Sequence, residues 1–206
     1  MALVKLNNRG VRSATTFGSI SALGSMIFIK KLTASSDSEL SFVDGTDDVV
    51  LDDTYKEYLF TFKNIHPATQ SAFLFNVSID SGSNYNVAKT TTAFNLAHNE
   101  DDDRTNLGYE STYDLAQGTG FQILDQDSLG TDNDSNLSGY LRLFNPSSTT
   151  FVKHFMSETS NNSGNVWGNR TMVAGYANTT SAVDAVQFKM DSDEIDAGDI
   201  CLYGIN

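Results

Sequence analysis

The stretch KEYLFTFKNIHPATQSAFLFNVSI, residues 56–79, decides the fold of this chain. Two segments within it, 56–64 and 72–79, alternate large apolar residues with mostly polar ones. A period of two with aromatic and β-branched residues on one side is typical of a half-buried strand. The apolar positions are Tyr58, Phe60, Phe62, Phe73, Phe75, Val77 and Ile79. Because burying one such side chain contributes about 1.5–3 kcal/mol, this set predicts the centre of the core.

The residues between these segments are polar and contain Pro67, so the sequence predicts two strands joined by a turn. Further strand patterns follow at 26–32, 38–43, 138–144, 150–156, 171–176, 182–190 and 195–204. About ten strands separated by turns predict an all-β fold, an antiparallel β-sandwich of the jelly-roll type. Residues 1–25 show no sustained period, so they are predicted to form an extended N-terminal arm before a jelly-roll domain at 26–206.

The charge of the chain is unevenly distributed. Residues 1–31 contain five bases and no acid, whereas the remaining 175 residues contain eight bases and all 26 acids. An acidic body repels phosphates, so nucleic-acid binding is not expected. A basic lead segment on an acidic body predicts an arm that anchors the domain on a partner surface, the alternative being a tail that merely lacks acids. The predicted anchor residues are Leu3, Lys5, Leu6, Arg9, Arg12 and Phe17.

Composition excludes several classes of protein. No run of about 18 apolar residues occurs, so no membrane span is predicted. The N-terminus lacks a continuous apolar segment, so no signal peptide is predicted. Cys201 is the only cysteine, which excludes an internal disulfide. His66, His98 and His154 have no zinc-ligand spacing, and the chain lacks a Gly-x-Ser-x-Gly motif, so no enzyme is predicted.

Several phrases of the sequence resemble small virion structural proteins of tailed bacteriophages, of the type found in phages of marine cyanobacteria. They are LVKLNNRGVRSATTFGSI at 3–20, YKEYLFTFKNIHPAT at 55–69, SGSNY at 81–85, LFNPSSTTFVKHF at 143–155 and DAGDICLYG at 196–204. The resemblance implies a non-enzymatic component of the virion, associated with the tail or its fibres. The alternative is a capsid decoration protein at the head surface. The resemblance also implies other virion proteins as partners, and it carries over no catalytic residue.

Oligomeric state is predicted by analogy. Sandwich proteins of fibres and capsid surfaces commonly pack as trimers, so a homotrimer is expected. The polar region 80–137 is too long for a structureless loop in a compact domain, so it is predicted to form a binding surface or contacts with neighbouring subunits. With the loop at 161–169, it makes a host-glycan-binding adhesin the alternative of a different class.

The residues predicted to contact a glycan are Tyr109, Tyr113 and Trp167, because exposed aromatic rings stack on sugar rings. The competing interpretation is that they pack down on their own loops or fill a subunit interface. A depolymerising hydrolase would need two carboxylates facing one groove, and only spatial distance decides that.

The acidic segment DQDSLG, residues 125–130, resembles the start of a calcium loop. Leu129 and Asn136 occupy positions where an EF-hand needs an oxygen ligand and a bidentate Glu, so an EF-hand is excluded. A looser calcium cage would use Asp125, Asp127, Asp132 and Asp134. Runs of acids usually lie on solvated loops without a metal, so no metal and no cofactor are predicted, and calcium is the alternative.

Overall fold

The computed structural model describes residues 25–125, 128–163 and 166–206, and in these residues every regular element is a β-strand. The strands are β1 (Met26–Asp37), β2 (Leu40–Val43), β3 (Glu57–Pro67), β4 (Phe73–Ser78), β5 (Lys89–Asn99), β6 (Thr105–Tyr109), β7 (Ala116–Gly118), β8 (Gln122–Ile123), β9 (Leu137–Phe144), β10 (Lys153–Ser163), β11 (Trp167–Ala177), β12 (Ala185–Met190) and β13 (Ile195–Ile205).

The strands form two antiparallel sheets. The large sheet has the order β1-β13-β3-β9-β10-β11-β5-β6, and β7 also pairs with β5. The small sheet has the order β2-β12-β4-β8. Buried apolar residues of both sheets form one hydrophobic cluster, so the two sheets pack face to face as a sandwich. The predicted all-β antiparallel sandwich is therefore confirmed.

An aromatic cluster fills the centre of the core. Phe188 of β12 is fully buried, and its ring lies 5.2–6.3 Å from the rings of five other phenylalanines. Aromatic pairs at such centroid distances stabilise a core beyond the area that they bury. The five are Phe42 of β2, Phe60 and Phe62 of β3, and Phe73 and Phe75 of β4. Four of the seven side chains predicted to form the centre of the core, Phe60, Phe62, Phe73 and Phe75, thus meet around Phe188.

The two segments that decide the fold do not form the predicted hairpin. β3 pairs with β13 and β9 in the large sheet, whereas β4 pairs with β12 and β8 in the small sheet. Their apolar faces meet across the core, where the rings of Phe62 and Phe73 lie 5.1 Å apart. β3 also continues past Asn64, whose left-handed φ of 52° accompanies a bulge. The prediction that Ile79 is a core residue is wrong, because it follows β4 and is 41% exposed.

Strand β4 is buried on both of its faces. The prediction for a half-buried strand placed Leu74, Asn76 and Ser78 in solvent. Instead the chain that follows β4 folds back over this face. The Asn76 side chain donates hydrogen bonds to the backbone carbonyls of Tyr85 at 2.6 Å and Thr119 at 3.1 Å. Asn76 therefore holds the region after β4 against the small sheet.

The large sheet extends beyond the area that the small sheet can cover. The strands β10, β11, β5 and β6 lie at one side of the large sheet, and together with β7 we call them the extension. The region 80–137 contains the strands β5 to β8, joined by long connections. The inner face of the extension is covered by the segment around β8. Thr159 donates to the carbonyl of Leu124 at 2.5 Å, and Thr91 donates to Gln122 at 2.7 Å.

A buried lysine in the extension predicts a pH-dependent stability. Lys153 is fully buried, and its amine donates to the carbonyls of Phe151 and Thr179 at 3.0 and 3.1 Å. Burial lowers the pKa of this amine. Between the lowered pKa and the unfolded value of about 10.4, the unfolded state binds more protons, so the free energy of unfolding rises with pH. Below the lowered pKa the lysine is charged in both states, so burying its charge lowers the free energy of unfolding by the full amount.

Replacing Lys153→Met should therefore make the free energy of unfolding rise less steeply with pH up to about 10. The measurement is urea unfolding at a series of pH values. Lys56→Met is the matched control, because Lys56 is exposed and should leave the slope unchanged. A Lys153→Met variant with the wild-type slope would contradict the prediction.

Candidate interaction surface

The outer face of the extension carries large apolar side chains in solvent. β5 alternates buried Ala93 and Asn95 with exposed Phe94 and Leu96, and this alternation repeats on the neighbouring strands. Six exposed residues form what we call the apolar patch. They are Phe94 (45% exposed), Leu96 (36%), Leu107 (74%), Tyr109 (49%), Met156 (52%) and Met172 (39%). A contiguous apolar patch on a protein surface marks an interaction site.

The register of the strands makes the patch continuous. Phe94 lies opposite Tyr109 on one side and opposite Met172 on the other. The rings of Phe94 and Tyr109 contact each other edge to face at 5.5 Å. Leu96 lies opposite Leu107 in the adjacent row. Directly opposed side chains in a sheet are about 5 Å apart, so the patch spans at least three strands without a break.

A groove with a volume of about 510 Å³ adjoins the patch and shares Met156 with it. It is lined by the small residues Ala174 and Gly175 and by the rings of His154 and Tyr176, whose centroids lie 6.0 Å apart. The remaining lining residues are Thr90, Thr91, Thr92, Phe144 and Phe155. Patch and groove together form one apolar surface on the outer side of the sheet.

Charges on this face are paired. Arg170 contacts Glu158 at 2.6 Å, and Arg142 contacts Glu57 at 2.8 Å. Tyr140 donates to Glu158 at 3.1 Å, and burial together with this carboxylate raises the pKa of the tyrosine. The chain as a whole has a net charge of −13. The face is thus close to neutral on a strongly acidic protein, which removes the main electrostatic obstacle to packing against another copy.

The three residues predicted to bind glycan are not brought together. Tyr109 belongs to the apolar patch and donates to Asp114 at 2.5 Å, which raises the pKa of the tyrosine. Tyr113 packs against the core. Trp167 lies opposite Asn99, five residues along β5 from the partner of Tyr109, so the two rings are separated by roughly 16 Å of strand.

Trp167 has a groove of its own. The prediction placed it in a loop, but it is the first residue of β11 and is half-buried. The groove has a volume of about 390 Å³ and combines the indole ring with polar side chains of His98, Asn99, Glu100 and Asn162. One aromatic ring with several hydrogen-bonding groups is the chemistry that a sugar ring requires.

The calcium candidates are dispersed. Asp125 is fully buried, and its carboxylate accepts a hydrogen bond from the backbone N–H of Phe73 at 2.9 Å. Asp132 and Asp134 are exposed, and Asp127 lies outside the described residues. In the described part of the chain, no group of three or more His, Cys, Asp and Glu residues could hold a metal ion.

The predicted anchor residues also lie outside the described part of the chain. They are Leu3, Lys5, Leu6, Arg9, Arg12 and Phe17.

The apolar patch was not predicted from the sequence. Its signal in the sequence was the alternation in residues 91–96, which predicts a strand but does not tell which face is covered.

No family model matches the chain, and neither the curated proteins nor the solved structures gave a match. Within the described residues, no helix is long and apolar enough to cross a membrane.

Proposed function

We propose that this chain is a non-enzymatic structural protein of a tailed-phage virion, associated with the tail or its fibres. In this proposal the domain is held on the particle by its N-terminal arm and packs against other copies through the apolar patch. The observation that carries the proposal is a broad apolar surface with paired charges on an otherwise acidic protein. A trimer is the expected assembly, and capsid decoration is the same function at another place on the virion.

The pairing of the strands supports a jelly roll with two insertions. β1 pairs with β13 and β2 pairs with β12, so the first strands of the chain meet the last. Four strands in the order β1-β13-β3-β9 face four in the order β2-β12-β4-β8, as in a jelly roll of eight strands. On this interpretation β5 to β7 are one insertion, β10 and β11 are the other, and the two insertions pair to build the extension.

Deleting residues 1–20 tests the arm. The truncated chain should keep its far-ultraviolet circular dichroism and its oligomeric mass, because the patch lies in the folded domain. It should be missing from purified virions when it is supplied in place of the full chain, because many weak arm contacts become strong only on a multivalent particle. Quantitative mass spectrometry of the virions measures this loss. Normal incorporation of the truncated chain would contradict the anchoring role.

A glycan-binding adhesin is the second candidate function, favoured by the groove at Trp167. Trp167→Ala should then abolish binding on a glycan array, whereas Phe151→Ala, at an exposed aromatic residue outside the groove, should not. An array without any signal from the wild-type protein would exclude this candidate.

A further inference from the structure

A lysine and an asparagine contact each other inside the protein. Lys89, the first residue of β5, and Asn76 of β4 are both fully buried. The lysine amine donates to the side-chain oxygen of Asn76 at 2.5 Å and to the carbonyl of Val87 at 3.0 Å. Since a C=O bond is about 1.23 Å long, the amine nitrogen lies at most about 3.7 Å from the carboxamide carbon. This approaches the separation of about 3–3.5 Å at which bond formation begins.

The carboxamide of Asn76 is held in one orientation. Its oxygen accepts a hydrogen bond from the backbone N–H of Val77 at 2.8 Å. Its nitrogen faces three backbone carbonyls, those of Tyr85 at 2.6 Å, Thr119 at 3.1 Å and Gly120 at 3.3 Å. An amide nitrogen carries only two hydrogens, so the three acceptors exceed its donors. They match a nitrogen with three hydrogens.

We infer that Lys89 and Asn76 become joined by an isopeptide bond, formed by the folded protein itself. The lysine nitrogen attacks the carboxamide carbon, so the bond from Nζ to Cγ forms and the bond from Cγ to Nδ2 breaks. One proton of the lysine amine passes to the leaving nitrogen, which departs as ammonia. No oxidant or co-reactant takes part. The product links β4 of the small sheet to β5 of the extension.

The surroundings supply what this reaction needs. The N–H of Val77 stabilises the negative charge that develops on the Asn76 oxygen, as a donor does in an oxyanion hole. The three carbonyls bind the leaving ammonia better than the starting amide, which favours the transition state over the ground state. Desolvation lowers the pKa of Lys89 to about 7, so the neutral, nucleophilic amine is present near neutral pH. In the described residues no carboxylate forms an ion pair with this lysine.

Intact-mass spectrometry of the purified full chain tests the inference. We expect the chain to be lighter than its sequence by one molecule of ammonia, completely or increasingly during incubation. The rate should rise about tenfold per pH unit below pH 7 and level off above it, because only the neutral amine reacts. Chain kept unfolded in urea should retain its full mass, since only the fold brings the two residues together.

Peptide mapping locates the bond. Cleavage before Asp80, between Asn76 and Lys89, should leave the two peptides joined, and trypsin should no longer cut after Lys89. Lys153 is the control within the same sample, because this equally buried lysine contacts only backbone carbonyls and should still be cut. Lys89→Arg should restore the full mass. A wild-type chain of full mass after incubation at about pH 9, cut normally after Lys89, would overturn the inference.

Discussion

Phe188→Ala is expected to lower the free energy of unfolding by about 3–5 kcal/mol. Phe188 is fully buried, and five phenylalanine rings from three strands surround it. Removing the ring loses its transfer free energy and leaves a cavity. The other rings cannot easily fill this cavity, because each belongs to a strand that backbone hydrogen bonds hold in place within its own sheet. Urea unfolding followed by circular dichroism measures the loss.

Phe151→Ala is the matched control for this substitution. The residue type and the change are the same, but Phe151 is 68% exposed. Substitutions at such positions change the free energy of unfolding by no more than about 0.5 kcal/mol. If Phe188→Ala cost as little as Phe151→Ala, the aromatic cluster would not be the centre of the core.

The class of fold could be predicted because most strands carry their own signal, although the short strands β6, β7 and β8 were not predicted. Alternation at Tyr58, Phe60 and Phe62 predicts a strand whichever partner the strand takes. The partners themselves could not be predicted, since a period of two does not tell whether the next strand lies beside it or across the core. For this reason β3 and β4 were predicted to form a hairpin, although the chain crosses from one sheet to the other between Pro67 and Phe73.

Burial of the second face of β4 was beyond prediction for a different reason. Asn76 and Ser78 are polar, and polar residues in alternation indicate a solvent-facing side. Here they are buried because they hydrogen-bond to the chain that covers them: Ser78 donates to Asp80 at 2.7 Å, and Asn76 binds three carbonyls. Such partners come from turns and loops, whose path depends on tertiary structure rather than on local pattern.

The extension inverts the usual arrangement of a sandwich. Its inner face carries buried polar residues such as Asn95, Thr159 and Thr171, whereas its outer face carries Phe94 and Met172 in solvent. A strand that served the domain alone would place its apolar residues inward. This distribution is the one expected when the outer face is buried by another chain, and it could be recognised only once the strand pairing was known.

Two charges placed in the apolar patch should abolish self-association. Leu107 and Met172 lie in the patch on either side of β5, so Leu107→Glu with Met172→Glu puts one carboxylate on each flank of this strand within the patch. Burying them against another copy would cost several kcal/mol each. Arg170 and Arg142, the arginines in the described ion pairs of this face, already contact Glu158 and Glu57, so they are not free to pair with the new carboxylates. The wild-type chain should scatter light as three copies of 22.4 kDa, and the variant as one.

The matched control places the same two charges on exposed apolar residues outside the patch. Ile79→Glu with Phe151→Glu changes the net charge equally, and these residues are 41% and 68% exposed. This control should keep the mass of the wild type, because its two charges lie outside the patch. General repulsion between acidic chains rises by the same amount in both variants, so a difference between them reports on the patch itself. A wild-type monomer would contradict the role of the patch, and so would loss of association in both variants. Only loss confined to the patch variant identifies this face as the surface that joins the copies.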